Sequence, residues 1–252
     1  MQSDAMSLFD HLEELRWTIF KMLGLLVVGS IAGWYFYDPT FEILMSPLYT
    51  MDRQVKLITV APLDAFVNKM TLSVLFGFCA TLPGQLFFIW NFVSPGLRDS
   101  ERRLGLGVIT AGTFFFCLGV MFAYVMLGFI INFLVSFTPP NVEPIWHFNK
   151  YLGFAFRLLF AFGVLFELPV VIVLLVTLEL VSTATLSKLR PYMIVGILVA
   201  AGILTPPDVT SQVILAVPLF ILFEFSLIIG RVQERRIASR RKAADGIEDA
   251  PT

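Results

Sequence analysis

Residues 104–135 read LGLGVITAGTFFFCLGVMFAYVMLGFIINFLV, and no charged side chain interrupts them. A helix of roughly 20 apolar residues crosses a hydrocarbon core about 30 Å thick, so this segment can span a bilayer. Because it exceeds that length, it predicts a helix that tilts or projects beyond the lipid. This segment alone indicates a membrane protein.

The composition of the whole chain agrees with a membrane class. Hydrophobic residues make up 57% of the 252 residues and charged residues 15%, against roughly 25% charged in soluble domains. A net charge of −1 gives no electrostatic reason to expect nucleic acid as a partner. Cys79 and Cys117 both lie inside apolar segments, so no disulfide framework or metal site is predicted. Phosphate-loop, zinc-protease and nucleophile-elbow motifs are missing from the sequence, so we expect neither an enzyme nor a cofactor.

Five further apolar segments follow one another along the chain, at 19–37, 68–93, 151–180, 191–204 and 209–229. We therefore predict an all-α polytopic membrane protein with about six transmembrane helices, of which spans five and six are short. Span five covers only about 21 Å at 1.5 Å per residue, which is less than the hydrocarbon core.

The predicted domains follow from the same segments. Residues 1–18 form an amphipathic cytoplasmic segment, residues 19–230 a six-helix transmembrane domain, and residues 231–252 a charged cytoplasmic tail. Ser7 followed by Asp10 resembles a capping box, so a helix should begin near Leu8.

Basic residues predict the orientation, because they concentrate in cytoplasmic loops. Thirteen lie in the N-terminal segment, the loops after spans two and four, and the tail: Arg16, Lys21, Arg98, Arg102, Arg103, Lys188, Arg190, Arg231, Arg235, Arg236, Arg240, Arg241 and Lys242. The opposite side has five: Arg53, Lys56, Lys69, Lys150 and Arg157. Both termini are therefore expected in the cytoplasm.

Three acids could carry a function. Glu14 and Glu101 lie on the predicted cytoplasmic side, where the simpler interpretation is solvation or local pairing with a nearby arginine. Glu167 lies inside an apolar span, where an ionisable group is a functional hypothesis by default. Its structural alternative is a partner such as Gln85 or a backbone carbonyl freed by Pro169.

Three residues near helix ends also have simple structural interpretations. Pro47 is expected to interrupt an extended segment after span one, which Asp38 and Pro39 should end. Thr205 is expected to cap span five, and Asp208 to cap the start of span six.

Six motifs occur together in one order. They are HLEELR at 11–16, MSPL at 45–48, FVSPGLRDSERR at 92–103, FGVLFELPV at 162–170, KLRPY at 188–192 and LTPPDVTSQ at 204–212. With these motifs the chain resembles the TatC family, the core receptor subunit of the twin-arginine protein translocase. The resemblance extends from about Met6 to Arg231. It departs locally at Trp17 and Thr18, where the family often has a second basic residue.

The resemblance implies a function. The family binds twin-arginine signal peptides of folded cargo proteins at the cytoplasmic face of the bacterial inner membrane. It assembles in the lipid with TatA-type and TatB-type single-span proteins into an oligomeric complex, and the proton-motive force drives export.

The resemblance also implies roles for single residues, each assigned by its position in a motif. The residues expected to bind the signal peptide are Glu14, Glu101, Arg16, Phe92 and Pro95. Glu167 is expected to line a polar groove inside the membrane, with Gln85 as its polar neighbour. Partner helices are expected at Thr205, Gln212 and the adjoining Leu204, and far-side functions at Pro47 and Asp208.

Two other classes of function remain open from the residues. A proton- or cation-coupled secondary transporter would use Glu167 as its titrating site. The sequence lacks the internal repeats found in many such carriers. A structural scaffold is the third class, and it does not explain why an ionisable residue, Glu167, lies inside an apolar span.

Overall fold

A computed structural model describes residues 8–49, 55–97, 102–139, 141–204 and 209–248. The all-α polytopic class predicted from the sequence is confirmed. The chain divides into two compact units, Met1–Phe160 and Ala161–Thr252.

Among the described residues, the first unit contains four complete α-helices, most of a fifth, one 3₁₀ turn and one small sheet. Its elements in chain order are α1 (Leu8–Tyr35), α2 (Tyr37–Tyr49), β1 (Lys56–Ile58), α3 (Asp64–Val93), a 3₁₀ turn (Ser94–Gly96), α4 (Gly105–Ser136), β2 (Ile145–His147) and most of α5 (Phe148–Leu165). Helix α1 is already helical at Leu8, the first described residue. Ser7 lies outside the described residues, so its capping role stays a prediction.

The two strands of this unit pair in parallel, with Lys56 opposite Ile145 and Ile58 opposite His147. An exposed ion pair of 2.6 Å joins Lys56 Nζ to Glu143 Oε2 beside the sheet. The Lys56 ammonium holds the pKa of the Glu143 carboxyl below its usual range.

The second unit contains α6 (Leu168–Thr177), α7 (Thr183–Lys188), α8 (Arg190–Leu204) and α9 (Val209–Glu248). Helix α9 packs against α6, α7 and α8. It continues without interruption through the basic residues that follow the last apolar segment.

Within the described residues, five helical segments are long and apolar enough to cross a membrane. They are His11–Tyr35, Asp64–Val93, Gly105–Ser136, Phe148–Thr177 and Gln212–Ser239. Helix α8 is the short apolar helix that the sequence predicts, and its 15 residues cover about 22 Å. The orientation of these helices in the membrane stays a prediction.

Helices α1 and α3 meet through small residues. Gly29 and Gly33 form a GxxxG pair on α1, and they face Ser73, Gly77 and Thr81 of α3. A Cβ atom built on Gly29 would lie 2.7 Å from the Gly77 carbonyl oxygen, so the two backbones are in direct contact. In a bilayer this close approach contributes dispersion that larger side chains would prevent.

The prediction of an extended segment around Pro47 is wrong. Helix α1 ends at Tyr35, and Asp38 and Pro39 lie in the first turn of α2, where a missing proline N–H is tolerated. Pro47 lies inside α2. The short helix forms because its buried residues Leu44, Met45 and Leu48 recur at helical spacing.

Tyrosines from other helices satisfy the backbone of α2 near Pro47. Since Pro47 has no N–H, the carbonyl of Ile43 lacks its helical donor. The hydroxyl of Tyr124 on α4 donates to that carbonyl at 2.8 Å, and the buried Tyr151 hydroxyl donates to the Leu44 carbonyl at 2.7 Å. Hydrogen bonds therefore join the part of α2 that directly precedes the MSPL motif to α4 and α5.

This arrangement predicts the effect of removing one hydroxyl. We expect Tyr124→Phe to lower the free energy of unfolding by about 1–3 kcal/mol, because the Ile43 carbonyl is left without a partner. Thermal unfolding in one detergent measures it, with Tyr35→Phe as control, since Tyr35 is 81% exposed. Equal unfolding temperatures for the two variants would contradict this account.

Candidate functional site

Glu14 lies one turn after His11 on the first turns of α1. Its side chain is 34% exposed, and Oε2 lies 3.9 Å from His11 Nδ1. This oxygen is buried, and none of the described residues donates a hydrogen bond to it. The carboxylate therefore offers an acceptor that the described part of the chain does not use.

The end of α3 holds the start of α1 in place. Phe92 stacks on the His11 ring with centroids 4.5 Å apart and planes inclined by 19°. Glu14, His11 and Phe92 form one cluster, which we call the entry cluster. It joins a carboxylate to two aromatic rings.

Pro95 lies in the 3₁₀ turn that directly follows α3. Arg102 donates from Nε to the Ser94 carbonyl at 3.0 Å and from Nη2 to the Pro95 carbonyl at 3.3 Å. These bonds satisfy carbonyls at a helix end, where intrahelical donors run out. Arg102 thereby ties the beginning of the next span to the turn that carries Pro95.

Arg16 does not join the entry cluster through its charge. Its Nη2 lies 3.5 Å from Glu13 Oε1, and the guanidinium lies 5.7 Å from the Trp17 ring centre. Both contacts are on the exposed side of α1. Trp17, where the sequence departs from the family pattern, thus offers its ring face to the Arg16 guanidinium.

Three predicted site residues, Glu101, Thr205 and Asp208, lie outside the described residues. Glu101 directly precedes Arg102 in the sequence. The roles given to these three residues stay predictions.

Sequence reasoning missed two members of this site, His11 and Arg102. His11 precedes Glu14 by three positions, which places both on one helix face, and this spacing could have found it. No local pattern indicates that Arg102 bonds to the Ser94 and Pro95 carbonyls.

The chemistry of the entry cluster suits a planar cation. A carboxylate accepts two parallel hydrogen bonds from a guanidinium, and such charge-assisted bonds are about twice as strong as neutral ones. Aromatic faces such as Phe92 add attraction for the same cation.

Glu167 lies at the break between α5 and α6. Its N–H donates to the Val164 carbonyl at 3.1 Å, and its carbonyl accepts from Val171 N at 3.0 Å. The side chain is half-buried, and Oε1 has no hydrogen-bond donor among the described residues. The backbone is thus satisfied across the break, while one carboxyl oxygen is left available.

Gln85 is buried between α1 and α3. Its Nε2 donates to the Met22 carbonyl at 3.1 Å and lies 3.5 Å from Thr81 Oγ1. The amide therefore supports helix packing inside the first unit.

Gln212 joins two helices of the second unit. Its Nε2 donates to the Leu198 carbonyl of α8 at 2.6 Å. Leu204, the last residue of α8, is half-buried. Both residues thus lie at the α8–α9 hairpin, as the sequence predicts.

A family model described as "Sec-independent protein translocase protein (TatC)" matches residues 10–218. The TatC protein of Carboxydothermus hydrogenoformans is 34% identical over 96% of this chain and 100% of its own length. The TatC protein of Aquifex aeolicus is 32% identical over 94% of this chain and 100% of its own length. A crystal structure of the twin-arginine translocase receptor TatC in DDM superposes with a TM-score of 0.81 at 32% identity, covering 87% of this chain and 99% of that one.

Proposed function

Since this chain belongs to the TatC family of Sec-independent protein translocase proteins, we propose that it is the subunit that binds twin-arginine signal peptides. The solved relative is described as the twin-arginine translocase receptor. In this proposal the chain recognises folded cargo through the signal peptide and catalyses no reaction of its own.

The observation that carries the proposal is the buried acceptor of Glu14. Its Oε2 has no donor among the described residues, yet it lies beside the stacked rings of His11 and Phe92. A buried carboxylate oxygen that accepts no hydrogen bond is unfavourable, and a cationic donor that reaches it removes that cost. A guanidinium of the signal peptide supplies that cation.

Glu101 is the proposed acceptor for the second arginine. It adjoins Arg102, which is anchored to the turn that carries Pro95. Two adjacent guanidinium groups require two separate planar acceptors, and the two acids meet that need. Arg16 would contribute through its exposed position on α1 beside the cluster.

The proposed location is the bacterial inner membrane, with both termini in the cytoplasm. The thirteen-to-five distribution of basic residues supports this orientation. Residues 1–18 then form a cytoplasmic segment, 19–230 the transmembrane domain, and 231–252 a cytoplasmic end.

TatA-type and TatB-type single-span proteins are the proposed partners in an oligomeric complex. The α8–α9 hairpin supports this through Leu204 and Gln212, with Thr205 between them in the sequence. Helix α8 also exposes Val195, Val199 and Ile203 on one face. A partner helix would associate with this face through van der Waals packing, which drives helix association in lipid.

The remaining predicted roles are proposals of the same kind. Pro47 and Asp208 would act on the far side of the membrane. Glu167, with Gln85 as a packing residue, would present a polar group to the transported segment under the proton-motive force. The alternative of a coupled carrier has no support in the relatives, which are described as protein translocase proteins.

The direct test measures binding of a fluorescent signal peptide to the purified chain in detergent. Changing the arginine pair of the peptide to two lysines should weaken binding by about tenfold. The charge is unchanged, but an ammonium cannot form the planar fork with a carboxylate. Equal affinity for the two peptides would refute recognition by paired carboxylates.

A further inference from the structure

Helix α7 is fastened to α9 by one carboxylate. The backbone N–H of Thr183 donates to Glu234 Oε2 at 3.3 Å, and the Thr183 hydroxyl donates to the same oxygen. Thr183 is buried and Glu234 is half-buried, so this contact is only partly exposed. Glu234 is therefore committed to an internal contact, although basic residues surround it in the sequence.

The arginines around Glu234 have few internal partners. Arg231 Nη2 donates to Ser187 Oγ at 3.0 Å, which holds that guanidinium against α7. Arg235 and Arg236 are exposed, and in the described part of the chain neither has an ion-pair partner. Positive charge is thus left available on this side of α9.

A cavity of about 400 Å³ lies at this junction. Arg231, Arg235, Glu234, Thr183 and Ser187 line it. Two guanidinium groups and one carboxylate give the lining a net positive charge. Guanidinium groups bind phosphate oxygens through paired hydrogen bonds.

We propose that this cavity binds the headgroup of an anionic phospholipid whose phosphodiester carries a hydroxylated substituent, as in phosphatidylglycerol. The phosphate lies between Arg231 and Arg235. A headgroup hydroxyl donates to the remaining lone pairs of Glu234. A zwitterionic headgroup, in which one ammonium group balances the phosphate, carries no net charge and would gain less from the positive lining.

The surroundings favour a lipid over a free phosphate ion. Ile228 and Val232, on the preceding turns of α9, are 54% and 47% exposed, so acyl chains can pack along them. The helix segment Gln212–Ser239 is apolar enough to span the bilayer, which places the arginines near its end. Clusters of four to eight basic residues just beyond a span attract anionic lipid. Three more basic residues, Arg240, Arg241 and Lys242, follow in the sequence.

The site belongs to the second unit and does not involve Glu14 or Glu101. Failure of the signal-peptide proposal would leave it unaffected, and the converse also holds.

The test uses the full chain, freed of lipid in detergent and titrated with phosphatidylglycerol, while native mass spectrometry counts bound lipid. The Arg231→Gln, Arg235→Gln double variant should bind about thirtyfold more weakly, since each basic residue near a lipid surface contributes about fivefold. Arg235→Gln alone should lose about fivefold. Arg235 has no partner among the described residues, so this single change leaves folding intact.

The matched control is Lys21→Gln with Arg103→Gln, which removes two exposed positive charges from the first unit. It should bind phosphatidylglycerol like the parent. Phosphatidylethanolamine and phosphatidylcholine should bind the parent more weakly, and millimolar inorganic phosphate should not displace the bound lipid.

Three results would overturn the site. They are unchanged binding by Arg235→Gln, a parent that prefers the zwitterionic lipids, and displacement by inorganic phosphate, which would indicate a free-anion site.

Discussion

Replacing both Glu14 and Glu101 by glutamine is expected to abolish measurable binding of a twin-arginine signal peptide. Each carboxylate that accepts from an arginine contributes about 1.5–3 kcal/mol, which corresponds to about ten- to a hundredfold in affinity. Either single variant should therefore be weakened to that extent. Glutamine keeps the shape of the side chain but loses the charge, so protein level and folding should remain as in the parent.

The sequence supplies a neighbouring control for Glu14. Glu13→Gln removes an adjacent carboxylate that is 64% exposed and paired with Arg16. Exposed ion pairs contribute little, so this variant should bind like the parent. Added salt should weaken binding by the parent, though less than for fully exposed charges. A peptide that binds the double glutamine variant as tightly as the parent would remove Glu14 and Glu101 from the function.

Gly29→Ala is expected to destabilise the protein by about 1–3 kcal/mol, the range for overpacking in a tight interface. The new methyl group would lie 2.7 Å from the Gly77 carbonyl oxygen and 2.6 Å from Thr81 Cγ2. The Thr81 side chain can rotate, but the carbonyl belongs to the α3 backbone. Helices α1 and α3 must therefore move apart along their contact.

Gly24→Ala on the same helix is the matched control. A Cβ atom at Gly24 meets nothing within 4 Å, so this change should be neutral or slightly stabilising through helix propensity. Thermal unfolding of both variants in one detergent separates packing from propensity. Equal shifts would show that the Gly29 contact does not hold the helices together.

Much of the fold could be predicted because apolar length is a local property. The segments 104–135 and 68–93 differ from α4 and α3 by only a few residues at each end. Helix α2 could not be predicted this way. Its carbonyl at Ile43 depends on Tyr124, which is 81 positions away, and no local pattern around Pro47 indicates that partner.

In the candidate site, too, residues could be predicted from local motifs, whereas contacts between residues distant in the sequence could not. Glu14 and Phe92 were found through their motifs, and they lie at the start of α1 and the end of α3. The stacking of His11 on Phe92 joins residues from two helices, so it required their packing to be known. The family resemblance supplied the pairing of Glu14 with Glu101, which the residues alone left as two separate surface acids.

The length of α9 has a mechanical consequence. Its 40 residues form a rod about 60 Å long, fixed near one end by the Gln212 bond to Leu198 and farther along by the Thr183 bond to Glu234. Pro218 lies between the two anchors and removes one hydrogen bond from the rod, so bending concentrates there. We therefore expect that a movement of α9 at one anchor reaches the other through a helix that bends at Pro218.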